Sequence, residues 1–185
     1  MKRLLPLAFL LAAACVRAAD LPPPPASFAA SFVQTRTLPG FDAPLVSHGK
    51  LSYDKAKGFS WEITQPYHYL FEMNGGKAHE QLPDGTARDL DPEQTPWLAA
   101  VQHIFISALS GDRSQLESYF QVAAKPAGAG QELTLTPKPG PIADAIKTIQ
   151  VTESAPGQPQ HLEIFEVSGG KMDIRFTPLA GSSKS

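Results

Sequence analysis

The amino-acid sequence predicts a mainly β domain: one antiparallel, strongly curved sheet with an apolar-faced helix set into its middle. Three observations carry this. In Gly58-Phe59-Ser60-Trp61-Glu62-Ile63-Thr64 large apolar and polar residues alternate strictly. Alternation places Phe59, Trp61 and Ile63 on one face of a strand and Ser60, Glu62 and Thr64 on the other. Further short segments bounded by glycine or proline fill residues 45–90 and resume at Tyr119. Between these two runs the spacing turns helical, with Trp97, Leu98, Val101, Ile104, Phe105, Ala108 and Leu109 on one face.

The chain begins with a targeting segment. Lys2 and Arg3 form a basic start, Leu4 to Ala14 an apolar run too short to span a bilayer, and Val16-Arg17-Ala18 a small-residue cleavage site. Residues 1–18 are therefore expected to be a signal peptide, and the mature protein to be exported. Losing Lys2, Arg3 and Arg17 takes the basic residues from 16 to 13 against 18 acidic ones, a net charge of −5. The single cysteine, Cys15, excludes an internal disulfide. It has two readings. It leaves with the leader, or it is the acylated first residue after a lipobox Ala12-Ala13-Ala14-Cys15, where Ala12 replaces the usual large aliphatic residue. Residues 19–26, with Leu21-Pro22-Pro23-Pro24-Pro25, form a Pro-rich linker. The folded domain is expected over 27–178, followed by a flexible tail, 179–185.

Within the domain Ser27 is a candidate cap for a short helix through about Val33, with Phe28 and Phe32 on one side. Gln34 to Leu38 is the first expected strand, broken by Pro39-Gly40. Leu45 to Tyr53 is the next, and the loop Asp54-Lys55-Ala56-Lys57-Gly58 folds it onto the Phe59 strand as a hairpin. Tyr69, Phe71 and Met73 alternate with Leu70 and Glu72 before the turn Asn74-Gly75-Gly76; Lys77 to Leu82 returns and Pro83-Asp84-Gly85 turns again. Thr95 caps the helix, Pro96 suits its first position and Gly111 stops it; Asp112 caps a second short helix to about Ser118. Strands follow at Phe120 to Val122, Glu132 to Thr136, Lys147 to Thr152, Gln160 to Val167 and Lys171 to Thr177. Ser168-Gly169-Gly170 joins the last two, and Met172, Ile174 and Phe176 share a face.

The nearly balanced charge excludes a basic nucleic-acid footprint. His48, His68, His79, His103 and His161 show no metal-ligand spacing, and no nucleophile elbow or catalytic cysteine is present. Asp42, Glu62, Glu72 and Asp173 carry no spacing signal. Neither catalysis nor a metal or cofactor is expected. What remains is apolar surface on the early strands, the last strand and the helix. By pattern alone it is either a sealed core or the wall of a ligand cavity.

Several short motifs in order resemble one family from about Phe28 to Phe176: Phe32-x-Gln34-x-Arg36, Gly49-x-Leu51, Phe59-x-Trp61 with Thr64-Gln65-Pro66, and Leu135-Thr136-Pro137-Lys138. The chain resembles the periplasmic outer-membrane lipoprotein carriers, the LolA-like family, and within it a divergent branch associated with lipid or aryl-polyene biosynthesis. The resemblance implies an incomplete antiparallel barrel under a helical lid, with acyl chains of a lipoprotein or another amphiphile in the hollow. The resemblance implies that Phe59, Trp61 and Ile63 line the cavity, and Phe32, Leu51, Tyr69, Phe71, Met73, Trp97, Val101, Phe105, Ile174 and Phe176 are expected to complete its wall. It implies a monomeric periplasmic carrier meeting an inner-membrane donor and an outer-membrane acceptor in transient contacts. Where the family has an arginine-proline pair that holds the lid, this chain has Lys55-Ala56, so lid control falls to Lys55, a point charge in place of a planar fork. The rival readings are an outer-membrane receptor lipoprotein acylated at Cys15 and a secreted enzyme on the same scaffold.

Overall fold

The strict alternation of the Phe59 strand is repeated around the molecule. The computed structural model describes residues 24–90, 107, 109, 110 and 112–180, and among them eleven strands form a single sheet. These are β1 (Ser27–Thr37), β2 (Leu45–Asp54), β3 (Gly58–Gln65), β4 (Tyr69–Asn74), β5 (Lys77–Gln81), β6 (Ala87–Leu90), β7 (Phe120–Ala127), β8 (Gly130–Pro137), β9 (Ile146–Ala155), β10 (Gln158–Glu166) and β11 (Lys171–Pro178). Two short helices accompany them among the described residues, α1 (Arg113–Tyr119) and α2 (Pro141–Ala145).

The sheet order is β6-β5-β4-β3-β2-β1-β11-β10-β9-β8-β7. Every neighbouring pair is consecutive in sequence except β1 and β11, so the two ends of the domain meet in the middle of the sheet. Its edges, β6 and β7, come from the middle of the sequence and do not pair with each other. The result is an incomplete, curved antiparallel barrel with short helices, as expected. The chain from residue 91 to 119 joins one edge to the other. Most of the expected lid helix lies outside the described residues, but Ser107, Leu109 and Ser110 have helical backbone.

One expected element is corrected. Residues 27–33 are not a helix but the first half of β1. Phe28 and Phe32 are four apart, a spacing that shares a face in a strand as well as in a helix. Ala30 decides between the periods: it is fully buried between the two phenylalanines while Ala29 and Ser31 are half-buried, which is alternation. The second expected helix does form. Asp112 caps α1, its carboxylate accepting from the Gln115 N–H at 3.2 Å and the Ser114 hydroxyl at 2.7 Å. Those bonds, the hydroxyl first, hold the Asp112 carboxyl below the usual range. The α2 turn was not anticipated; Pro141 starts it and its five residues are too few to leave a periodic signal.

The core occupies one face. Phe28, Phe32, Leu51, Tyr53, Phe59, Ile63, Phe71, Met73, Ile174 and Phe176 form one buried cluster, and Phe120, Leu133, Leu135, Ile149 and Val151 a second. Leu162 packs on both and makes them continuous. The first cluster turns on one close approach. Gly49 stands opposite Phe32 on β1 and Ile63 on β3, at a register shift between His48 and Gly49. A Cβ at Gly49 would clash with Cζ of Phe32 and with the Glu62 carbonyl oxygen. The missing side chain is what lets the Phe32 ring cross β2 and stack on Trp61 of β3, ring centres 4.0 Å apart. Gly49→Ala is therefore expected to cost about 1–3 kcal/mol, the range for overpacking a filled core, read as a lower urea midpoint. An unchanged midpoint would show that the ring is not held there.

Candidate functional site

The inner face of the sheet is assembled row by row across the strands. Ala30 of β1 stands beside Leu51 of β2, Leu51 beside Trp61 of β3, Trp61 beside Phe71 of β4, Phe71 beside Glu80 of β5, and Glu80 beside Arg88 of β6. The row is apolar across four strands and ionic on the last two. Phe176 closes the aromatic group edge-on, with its ring centre 6.3 Å from Phe32 and 6.4 Å from Trp61.

Of the residues expected to face a ligand, Phe32, Leu51, Phe59, Ile63, Phe71, Met73, Ile174 and Phe176 come together in this one buried cluster. Trp61 and Tyr69 pack on it and are half-buried. Trp97, Val101 and Phe105 lie outside the described residues. From the same segment Leu109 is buried in the cluster. The Leu109 carbonyl also lies so close to Gly157, in the turn between β9 and β10, that a side chain there would meet it. Beside it, Tyr53 of β2 interacts with Ser110, and burial raises the Tyr53 hydroxyl above its ordinary range. The connection between the two sheet edges is thus seated on the apolar face at Leu109.

Lys55 is exposed in the β2–β3 turn. Its backbone N–H donates to the Ala26 carbonyl at 2.9 Å, and Asp54 fixes the turn by accepting from the N–H groups of Ala56 and Lys57. An open groove of about 510 Å³ at this end is lined in part by Phe28, Tyr53, Lys57, Phe59 and Met73.

Sequence reasoning missed the charged groups of the inner face. Glu80 is buried there; its Oε1 accepts from the Tyr69 hydroxyl at 2.9 Å and its Oε2 from Arg88 Nε at 2.7 Å and Nη2 at 2.6 Å. Burial first, then the bond to Glu80, raises the Tyr69 hydroxyl well above its ordinary range, so it stays a neutral donor. Glu153 is buried on β9, accepting from Gln131 Nε2 at 2.8 Å and from the Gly157 N–H at 3.3 Å. At another end of the face Arg36 Nη2 meets Glu166 Oε1 at 2.9 Å. The available signal was parity: Glu80 shares its strand face with Ala78, and Glu153 with Val151.

On the outer face, strand spacing gathers His161, Glu163 and Asp173, whose ligand atoms lie within 4.8 Å of one another. Lys171 Nζ stands 2.6 Å from Glu163, and Arg175 Nε 3.5 Å from Asp173, so both carboxylates are already paired with cations. Glu62 pairs with His68 at 3.3 Å.

The model of the family described as outer membrane lipoprotein carrier protein LolA-like matches residues 19–185. The chain belongs to this family. No curated protein sequence matches it significantly. Solved structures similar to this LolA-like chain include a LolA superfamily protein from Nitrosomonas europaea, at 12% identity and a TM-score of 0.40, covering 83% of this chain and 85% of that one. The MucA/MucB complex of Pseudomonas aeruginosa matches at 15% identity and a TM-score of 0.46, over 86% of this chain and 53% of that one. Lipoprotein LppX of Mycobacterium tuberculosis matches at 10% identity and a TM-score of 0.39, over 86% of both chains.

Glu153 gives the LolA-like fold a pH signature. Burial raises its carboxyl above the ordinary range, against the opposing effects of Gln131, Gly157 and the charge of Arg113. The folded state then holds this proton more tightly than the unfolded chain. Its stabilising contribution is full below the ordinary carboxylate pKa and is lost as pH rises through the folded value. Glu153→Gln should flatten the fall in Tm on going from about pH 4 to pH 7, the span above an unperturbed glutamate. A loss of Tm that is present at pH 7 and vanishes in acid would instead mark the carboxylate as charge-paired.

Proposed function

We propose that this protein is a periplasmic carrier that holds acyl chains of a lipoprotein or another amphiphilic lipid against the inner face of its open barrel. It takes the client from an inner-membrane donor and gives it to an outer-membrane acceptor. One observation carries the reading. Leu109, from the connection between the two edges of the sheet, is buried in the apolar cluster, and among the described residues no second sheet covers that face. Such a cover is replaceable by something of equal hydrophobicity. Each buried methylene is worth about 0.8 kcal/mol, so part of one acyl chain repays the displaced leucine.

In this reading Phe32, Leu51, Phe59, Trp61, Ile63, Tyr69, Phe71, Met73, Ile174 and Phe176 meet the acyl chain when the cover lifts. Trp97, Val101 and Phe105 supply the cover's inner side, and Lys55 acts on it from the β2–β3 turn. Residues 1–18 direct export, 19–26 link, and 27–178 carry the client. Intact mass of the exported protein distinguishes loss of Cys15 from its acylation.

The half-buried Trp61 is the most direct probe. A fluorescent fatty-acid analogue should bind the mature protein and be displaced by unlabelled lipid. Trp61→Ala should weaken its binding on the order of tenfold, about 1.4 kcal/mol. A folded Trp61→Ala protein with unchanged affinity would place the binding face elsewhere.

A further inference from the structure

The apolar row across β2, β3 and β4 ends at the open edge in three polar side chains that a plain core would not place there. Tyr69, Glu80 and Arg88 lie on the same inner face as Trp61 and Phe71, on three successive strands. Glu80 is buried and both its oxygens are taken, Oε1 by the Tyr69 hydroxyl and Oε2 by Arg88. Arg88 is held by Nε and Nη2 on that single oxygen, yet its side chain remains 56% exposed. A guanidinium has five N–H donors, and among the described residues only Glu80 is seen to accept from them. Burying an ion pair in an apolar face loses hydration that the pairing seldom recovers in stability. The arrangement makes better sense as a guanidinium pre-oriented at the end of a hydrophobic track, its carboxylate partner locking the fork in place.

We infer that Arg88, positioned by Glu80 and Tyr69, is the headgroup site of the carrier, and that it takes the anionic group, carboxylate or phosphate, of an amphiphile whose chain lies along Phe71, Trp61 and Leu51. This rests on the carrier reading above and adds polarity to it: the tail points toward the middle of the sheet and the head toward β6. From Leu51 on β2 to Arg88 on β6 the track spans about 19 Å at the ordinary strand spacing. On the outward face of β6, Asp89 pairs with His79 of β5 at 2.9 Å, so the strand presents Arg88 inward and an acidic group outward.

The test compares three ligands with one saturated chain, palmitate, hexadecyl phosphate and hexadecanol, by displacement of the fluorescent analogue from the mature protein. Wild type should bind at least one anion about tenfold more tightly than the alcohol, the scale of a charge-assisted hydrogen bond. The preferred anion identifies carboxylate or phosphate as the natural head. Arg88→Gln should lose that preference while keeping the hexadecanol affinity, and Arg88→Lys should recover part of it. Equal binding of acid, phosphate and alcohol by wild type would overturn the inference while leaving the carrier intact. So would a preference that survives in Arg88→Gln. If Arg88→Gln fails to fold, the wild-type selectivity and the Arg88→Lys protein decide. Failure of all three ligands to bind, the alcohol included, overturns the carrier reading and this inference with it.

Discussion

The stack of Phe32 on Trp61 across Gly49 is the contact on which the rest of the inner face depends. It joins β1 to β3 over the top of β2, and through Phe176 it joins both to β11. Those strands are the seam where the two ends of the domain meet. A sheet that closes neither into a barrel nor against a second sheet needs its curvature fixed from inside. A strand without a side chain at one point, and a ring that fills the gap, do this with few atoms. The same stack leaves Trp61 half-buried at the centre of the apolar row, where a guest would meet it first.

Charge is distributed around that centre with a consistent logic. The interior pairs sit at the margins of the apolar face: Glu80 with Arg88 beside one edge, Arg36 with Glu166 where β1 and β10 end, and Glu153 at the turn that touches Leu109. None interrupts the stretch from Ala30 to Phe71. A purely structural core gains little from buried carboxylates, whose desolvation opposes folding. A face that must hold an amphiphile gains an orientation from them. Glu153 has a further role through geometry: by accepting from the Gly157 N–H it shapes the turn against which the Leu109 carbonyl rests.

Much of this was legible in the sequence because strand parity is a strong signal wherever big residues alternate. Phe59, Trp61 and Ile63, and Met172, Ile174 and Phe176, were placed on the correct faces by counting alone. The helix expected at Ser27 failed because four residues return to the same face in either secondary structure, and only the burial of Ala30 separates them. Sheet order was not legible: nothing local says that β1 pairs with β11, 146 positions away at Ser31 and Thr177. The charged margin escaped for a related reason. Glu80 reads as an ordinary polar residue until the meander brings Tyr69 and Arg88 to either side of it. Gly49 stands out in the sequence only as part of a motif; its purpose, making room for the Phe32 ring, depends on the pairing of β1 with β2.

In the proposed carrier the apolar face has a cover able to give way to an acyl chain. Covers of this kind are drawn from the less stable part of a fold. Hydrogen exchange of the mature protein, with and without palmitate, tests this most directly through the amides of Leu109 and Ser110 compared with those of Phe32 and Trp61. Exchange should be faster at Leu109 and Ser110 in the empty protein, and should change there, but not at Phe32 and Trp61, when palmitate binds. Equal protection at all four, unaltered by palmitate, would mean that Leu109 belongs to a permanent core and would contradict the proposal.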